Sequence, residues 1–397
     1  MALQYIDQFD FSGKSVIARF DFNVPLDKKD SNLISDTTRI DEALPTIQYL
    51  LEGGAKRLVL MSHLGRPKGK PEPKYSLLPV AKYLAEKLSE EVVLTESATD
   101  SGIKTLINLN TKIILLENLR FHPEETSNDQ DFCKTLASYA EVYVNDAFGT
   151  AHRKHASTYG IVRYFKNKAF GGFLLKKEIQ ALEKIVKKPA HPFMALMGGA
   201  KISDKIKIIE SLLSEVDFLL IGGAMAYPFL KARGHSVGKS LCANEDVSLA
   251  KMIIALPIAK KILLPIDHIG STGPESLPMA IESVDIDPDK MGLDIGPKTI
   301  AMYKEKLKFA KTILWNGPMG LFENQNFAKG TMEMAHTLAD LNGAFTVVGG
   351  GDSVSAVHTA GVADKISHIS TGGGASLEFI EHGSLPGIDA LKFGIST

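Results

Sequence analysis

Cysteine is scarce in this chain of 397 residues, where Cys133 and Cys242 stand far apart and outside any paired motif. That excludes a disulfide framework and a cysteine-built zinc site, and it fits a reducing compartment. Long apolar runs are missing as well: the best candidate, Phe218–Leu230, is short and broken by Gly222, Gly223 and Pro228. The first residues carry Asp7, Asp10 and Lys14 where a secretory signal would need an apolar core. Neither charge sign dominates. With 45 basic and 46 acidic side chains the net charge is -1, which argues against a broad nucleic-acid surface but leaves room for a local basic pocket. These absences leave a cytoplasmic, soluble protein, and its length predicts two domains of about 200 residues.

Two residue types are unevenly placed. Seven of the eight arginines (Arg19, Arg39, Arg57, Arg66, Arg120, Arg153 and Arg163) lie in the first 163 residues, whereas 26 of the 34 glycines lie from residue 171 onward. Arginine offers planar, bidentate recognition of carboxylate and phosphate; glycine turns offer backbone N–H groups. The asymmetry fits two halves that hold two anionic ligands by different means. Ordinary solvated surface arginines fit it too.

In the first half, apolar runs recur with room for a helix between them, the pattern of a parallel α/β sheet. Ser15–Asn23 alternates, with Ala18, Phe20 and Phe22 on one face and Arg19, Asp21 and Asn23 on the other. Further runs at Arg57–Met61, Lys112–Glu117 and Glu141–Val144 end in SHLGRP, ENLRFHPEE and NDAFGTAHRKHAS. These ends present His63, Arg66, Arg120, His122, His152, Arg153 and His155, where open α/β sheets take ligands. Pro79 suits the first turn of a helix over Leu78–Leu88. An amphipathic helix is expected over FLLKKEIQALEKIVKK, with Leu175, Ile179, Leu182 and Val186 on one face. It is either a domain connector or an ordinary helix of one domain.

In the second half the strands run into glycine. Thr346–His358, TVVGGGDSVSAVH, reads as strand, glycine turn and helix start. That arrangement is a ready anion site, and Asp352 just after the glycines suits a Mg²⁺ that travels with nucleotide phosphates. A plain βα turn with a capping Asp or Ser is the competing reading. Lys201 and Lys205, four apart after a glycine pair, are expected on one helix face, as phosphate contacts or as a solvated helix start. Gly234–Ser240 imitates a phosphate-binding P-loop one residue short, and no strand end carries a dinucleotide fingerprint.

Assembled in order, these residues resemble the phosphoglycerate kinase family over essentially the whole chain. The resemblance rests on RFDFNVP (19–25), ISDTTRI (34–40), SHLGRP (62–67), ENLRFHPEE (117–125), VNDAFGTAHR (144–153) and GGFLLKKE (171–178). It continues through GGAKISDK (198–205), LDIGPKT (293–299), WNGPMGLFE (315–323), GGGDS (349–353) and STGGGAS (370–376). Thr37, where an Asp is more usual, and the plain tail Phe393–Thr397 are the departures.

The resemblance implies an α/β fold of two doubly wound, Rossmann-like parallel-sheet domains facing a central cleft. Residues 1–171 would bind 3-phosphoglycerate and 189–380 the nucleotide; 172–188 would be a connecting hinge helix and 381–397 would return to the first domain. It further implies a reversible, Mg²⁺-dependent transfer from 1,3-bisphosphoglycerate to ADP, giving 3-phosphoglycerate and ATP. Asp21 and Asn23 would hold the glycerate hydroxyl and carboxylate end, with Arg39, His63, Arg66, Arg120 and Arg153 around the anionic groups. Lys201, Lys205, Asn316, Gly350, Gly351, Asp352 and Ser353 would meet nucleotide phosphates, Asp352 also holding the metal. Glu323 would accept the ribose hydroxyls, and Gly199, Gly222, Gly223, Gly292, Leu293, Pro318 and Leu321 would form the nucleoside slot. Arg39 and Lys201 would stabilise transition-state charge, helped by N–H groups of Gly372 and Gly373. A monomer without nucleic-acid or membrane partners is expected. A NAD-dependent dehydrogenase would fit the glycine turns but lacks the fingerprint; a non-catalytic nucleotide-binding regulator leaves the arginine-rich half unexplained.

Overall fold

The computed structural model describes residues 2–27, 30, 32–109, 111–203 and 205–395; Asp204 of GGAKISDK and the last two residues of the tail lie outside the described residues. The chain divides into two units, residues 1–180 with 384–397, and residues 181–383. In the first, six strands form a sheet in the order β3-β4-β2-β1-β5-β6. They are β1 Ser15–Phe20, β2 Arg57–Met61, β3 Val92–Leu94, β4 Ile113–Leu115, β5 Val142–Asp146 and β6 Ala169–Gly171, and every pairing is parallel.

A parallel sheet is covered on both faces, so its strands are apolar throughout rather than alternating with water. Val16, Ala18 and Phe20 of β1 pack into one core with Leu58, Leu60 and Val144. Ile17 faces the other, with Val59, Ile114 and Tyr143. The strand stops at Phe20, short of the run Ser15–Asn23 read from the sequence, and Arg19, on Ile17's side, is 1% exposed. β2 and the helix Leu78–Leu88 fall where the sequence predicts them, with a proline in the helix's first turn.

The second unit adds β7 Phe193–Met197, β8 Phe218–Ile221, β9 Ile262–Leu263, β10 His268–Ser271, β11 Met279–Ile281, β12 Met291–Ile295, β13 Thr312–Asn316, β14 Phe345–Gly349 and β15 His368–Ile369. Six of them form a second parallel sheet, β15-β14-β13-β7-β8-β9. The chain begins centrally at β7, winds out to β9, then returns to lay β13 on β7's other side. That reversal leaves a crevice beyond the carboxyl ends of β7 and β13, where such sheets take ligands. In the first sheet the reversal falls between β1 and β5. β10, β11 and β12 form a separate antiparallel sheet, absent from the sequence-based expectation because its strands are only three to five residues long.

The boundary between the units falls inside the helix Phe173–Val186, between Gln180 and Ala181. Its first turn holds no acidic residue; Asp146, at the end of β5, supplies the carboxylate instead, accepting the Leu175 N–H at 2.8 Å. Burial pushes the Asp146 carboxyl up to about 7. Near the end of the chain the helix Pro386–Phe393 returns to the first unit, where the Gly387 N–H donates to the Ala151 carbonyl at 2.8 Å. No helix among the described residues is long and apolar enough to cross a membrane.

Leu220, fully buried in β8, lies in the same core as Trp315, the only tryptophan. Leu220→Ala is expected to remove about 2–5 kcal/mol of stability, read as a lower urea midpoint of Trp315 fluorescence. An unchanged midpoint would contradict this account of the core.

Candidate active site

In the first unit the carboxyl ends of β1, β2 and β5 gather the cationic candidates. Asp21, one residue past β1, is 10% exposed at its side chain and accepts from Arg39 Nη1 at 3.0 Å. It also lies 3.9 Å from His63 Nδ1. Asn23 presents Oδ1 to the Gly65 N–H at 2.8 Å, which fixes the loop carrying Arg66. Arg120 donates to the Gly65 carbonyl at 2.7 Å. Arg66, Arg120 and Arg153 line one cavity of 570 Å³ with Lys68, His122 and His155, a size that suits a small metabolite.

The electrostatics of this cluster follow from crowding. Burial, then the Arg19 and Arg153 charges, bring the Arg120 guanidinium down to about 10. Burial and the surrounding arginines hold His63 well below the usual imidazole value, so it is neutral. Arg19 Nη2 lies 3.1 Å from His63 Nδ1; since a guanidinium only donates, Nδ1 accepts and the ring proton sits on Nε2. Arg19 also donates to Ser157 Oγ at 2.8 Å and to the Phe20 carbonyl. Ser157 in turn donates to the buried Glu125 at 2.6 Å. The sequence reading left Arg19, Ser157 and Glu125 out of the site. Arg19 shares a strand face with Asp21, a signal that was present, but only the fold puts Glu125 and Ser157 behind it.

In the second unit three loops pack backbone against backbone beyond β7, β8 and β13. The Gly199 N–H donates to the Pro318 carbonyl at 3.2 Å, and the Gly223 N–H to the Met319 carbonyl at 2.8 Å. A Cβ on Gly198 would overlap the Pro318 carbonyl, and one on Gly317 the Gly198 carbonyl, so only glycine permits this approach. Lys205 Nζ crosses the crevice to the Gly198 carbonyl at 2.9 Å and Asn316 Oδ1 at 2.7 Å. Asn316 Nδ2 then faces the turn at Gly350, whose φ of +90° caps the helix Gly351–Thr359. That helix leaves first-turn N–H groups beside the exposed Asp352. A second such turn caps the helix Gly374–His382, with Gly373 at φ +51° and Gly372 preceding it.

Some candidates sit otherwise than the sequence suggests. Lys201 and Lys205 do not share a helix face: the helix begins at Ile206, Lys205 is its cap and Lys201 is exposed in the loop before it. The crossing to Asn316 holds Lys205 at the helix entry. Ser353 is turned inward, donating to the Gly349 carbonyl and accepting the Gly317 N–H, each at 2.8 Å; it staples two loops together. Leu293 and Leu321 are joined by a backbone bond of 2.7 Å, Gly292 is buried against Tyr227, and Glu323 is exposed on the same loop as Leu321. Gly222 is packed against Met319.

Two doubly wound sheets, one ending in cationic side chains and the other in glycine turns at helix starts, define an enzyme of the phosphotransferase class, built to handle anionic groups without a nucleophilic side chain. A sequence model described as phosphoglycerate kinase matches residues 6–383. A curated phosphoglycerate kinase of Anaeromyxobacter sp. (strain K) is 50% identical, over 99% of this chain and 100% of that protein. Among solved structures, phosphoglycerate kinase from Coxiella burnetii superposes with a TM-score of 0.87 at 38% identity, covering 98% of this chain and 99% of the other. The enzyme from Pyrococcus horikoshii OT3 gives 0.84 at 32% identity, covering 99% of each. The chain belongs to the phosphoglycerate kinase family. It is a glycolytic kinase that exchanges a phosphoryl group between phosphoglycerate and an adenine nucleotide, and the dehydrogenase and regulator readings find no support in these matches.

His155, 3.9 Å from Glu125, is brought from 6.5 to about 4 by burial and by Arg19, Arg120 and Arg153. Between those values the unfolded chain binds more protons than the folded one. The contribution is therefore complete above 6.5 and lost as pH falls toward 4. His155→Gln is expected to flatten the acid-side loss of stability measured by urea titrations across that window, and an unaltered slope would contradict it.

Proposed function

We propose that the chain catalyses 1,3-bisphosphoglycerate + ADP ⇌ 3-phosphoglycerate + ATP by direct in-line transfer. The three-carbon substrate binds residues 1–171 and the nucleotide binds 189–380, with 172–188 as the hinge and 381–397 returning to the first domain. One observation carries the reading: Lys205, Asn316 and the Gly350 turn converge at the switch point of the second sheet, while arginines line a cavity in the first unit. The acceptor is already a carboxylate or a phosphate, so no nucleophilic side chain and no general base is needed. Positioning and charge stabilisation supply most of the rate.

Each residue type suits its role. Asp21 and Asn23 accept from the glycerate hydroxyl end, and neutral His63 donates through Nε2. Arg39, Arg66, Arg120 and Arg153 bind the substrate's anionic oxygens. Lys201, Lys205, Asn316 and the N–H groups of Gly350–Ser353 take the nucleotide phosphates. Gly199, Gly222, Gly223, Gly292, Leu293, Pro318 and Leu321 frame the nucleoside, with Glu323 on the ribose. Arg39 and Lys201 offset the charge of the transferring group, joined by N–H groups of Gly372 and Gly373. Because the two substrates bind different halves, the halves must close before transfer, which also keeps water from the acyl phosphate.

Among the described residues no group of three or more His, Cys, Asp or Glu side chains is placed to hold a metal. A lone exposed carboxylate such as Asp352 fits an ion whose other ligands are phosphate oxygens and water. Asp352 would hold Mg²⁺ there, and the ion would supply positive charge to offset that of the phosphates. A cytoplasmic monomer, with Cys133 and Cys242 as free thiols, completes the proposal.

The direct test is ATP formation from enzymatically generated 1,3-bisphosphoglycerate and ADP, with Mg²⁺ withheld as a control; no ATP in the complete mixture would refute the reading. Arg39→Ala is expected to lower turnover roughly 10²-fold or more with the fold intact, and near-normal turnover would remove Arg39 from its role. Asp352→Asn should weaken Mg-nucleotide use more than 3-phosphoglycerate binding, measured by steady-state kinetics and calorimetry. Equal losses would count against the metal assignment.

A further inference from the structure

Asp294, at the carboxyl end of β12, is 2% exposed and was no part of the site as read from sequence. Its Oδ2 accepts the Gly330 N–H at 2.6 Å and its Oδ1 the Ile295 N–H at 2.9 Å. Gly320 and Gly330 press on the same carboxylate, and a Cβ on either would overlap Oδ1. Gly330 lies in the first turn of the helix Lys329–Ala339. The next residue, Thr331, accepts the Met319 N–H at 2.9 Å, and the Leu321 N–H returns to the Leu293 carbonyl at 2.7 Å. One buried carboxylate thus ties β12 to the helix and packs directly under the loop that carries Pro318, Leu321 and Glu323.

We propose that Asp294 is the positioning residue of the nucleoside slot: it sets the spacing between the Gly292–Leu293 wall and the Pro318–Glu323 loop, and so governs nucleotide affinity without touching the nucleotide. This rests on the assignment of that face to the nucleotide. The carboxylate is held at a cost: burial pushes it up to about 7, against the two N–H donors and the Lys329 charge. Asparagine has the same shape but only one acceptor, so in either orientation its amide meets an N–H with another N–H.

The test is Asp294→Asn in the full chain. The ADP KM is expected to rise about tenfold, as for one unsatisfied buried donor, with 3-phosphoglycerate binding by calorimetry and the Trp315 emission maximum unchanged. An unchanged ADP KM, or equal losses for both substrates, would overturn the proposal. Should the emission show that Asp294→Asn does not fold, Gly320→Ala, whose methyl would meet the Asp294 carboxylate and the Phe327 carbonyl, must give the same selective loss; an unaltered ADP KM there would overturn it equally. If the wild-type chain fails to bind ADP in the same calorimeter, the nucleotide assignment itself falls, and the proposal with it.

Discussion

Guanidinium groups repel one another, and the first unit crowds several of them at one sheet edge. Arg19, Arg120 and Arg153 each depress a neighbour's proton affinity. What keeps the cluster together is a pair of carboxylates set among them. Glu125 is wholly buried behind Arg19 through Ser157, and Asp21 accepts a hydrogen bond from Arg39. The compensation is incomplete, because the cavity walls contribute cations and no carboxylate. Crowding also fixes the chemistry of histidine: among so many cations, His63 and His155 stay neutral, so they act as directed donors and acceptors rather than as further charges.

The second unit, proposed to hold the nucleotide, carries far less side-chain charge at its crevice. Its loops approach so closely that Gly198 and Gly317 admit no Cβ, and the N–H groups of helix starts face outward at Gly350 and Gly373. Lys205 spends its hydrogen bonds on Gly198 and Asn316, which stiffens the crevice as well as making it positive. In the proposed reading the two halves divide the work of phosphoryl transfer by chemistry, side chains on one side and backbone on the other.

Much of this was legible in the residues. β2 and the helix Leu78–Leu88 could be read to their ends because an unbroken apolar run and a first-turn proline are local signals. The glycine turns could be read because strand, glycine and helix start are contiguous. Pairings across the sheet could not. Nothing near Arg19 announces Glu125, more than a hundred residues away, and nothing near Asp294 announces Gly330. Lys201 and Lys205 were misplaced on one helix because four-residue spacing is only a permissive signal, and the side chain of Lys205 finds better partners by crossing the crevice. The small antiparallel sheet was missed because strands of three to five residues carry too little pattern to stand out.

The return of residues 384–397 to the first unit makes the second unit an insertion, and this has a consequence for synthesis. Ala390 joins the core beneath Ile17 and Tyr143, and the Gly387 N–H holds Ala151, two residues before Arg153. The whole second unit is synthesised before the helix Pro386–Phe393, which supports Ala151. The half made first is therefore the half finished last, and the arginine cluster waits, partly supported, for a helix encoded at the far end of the sequence.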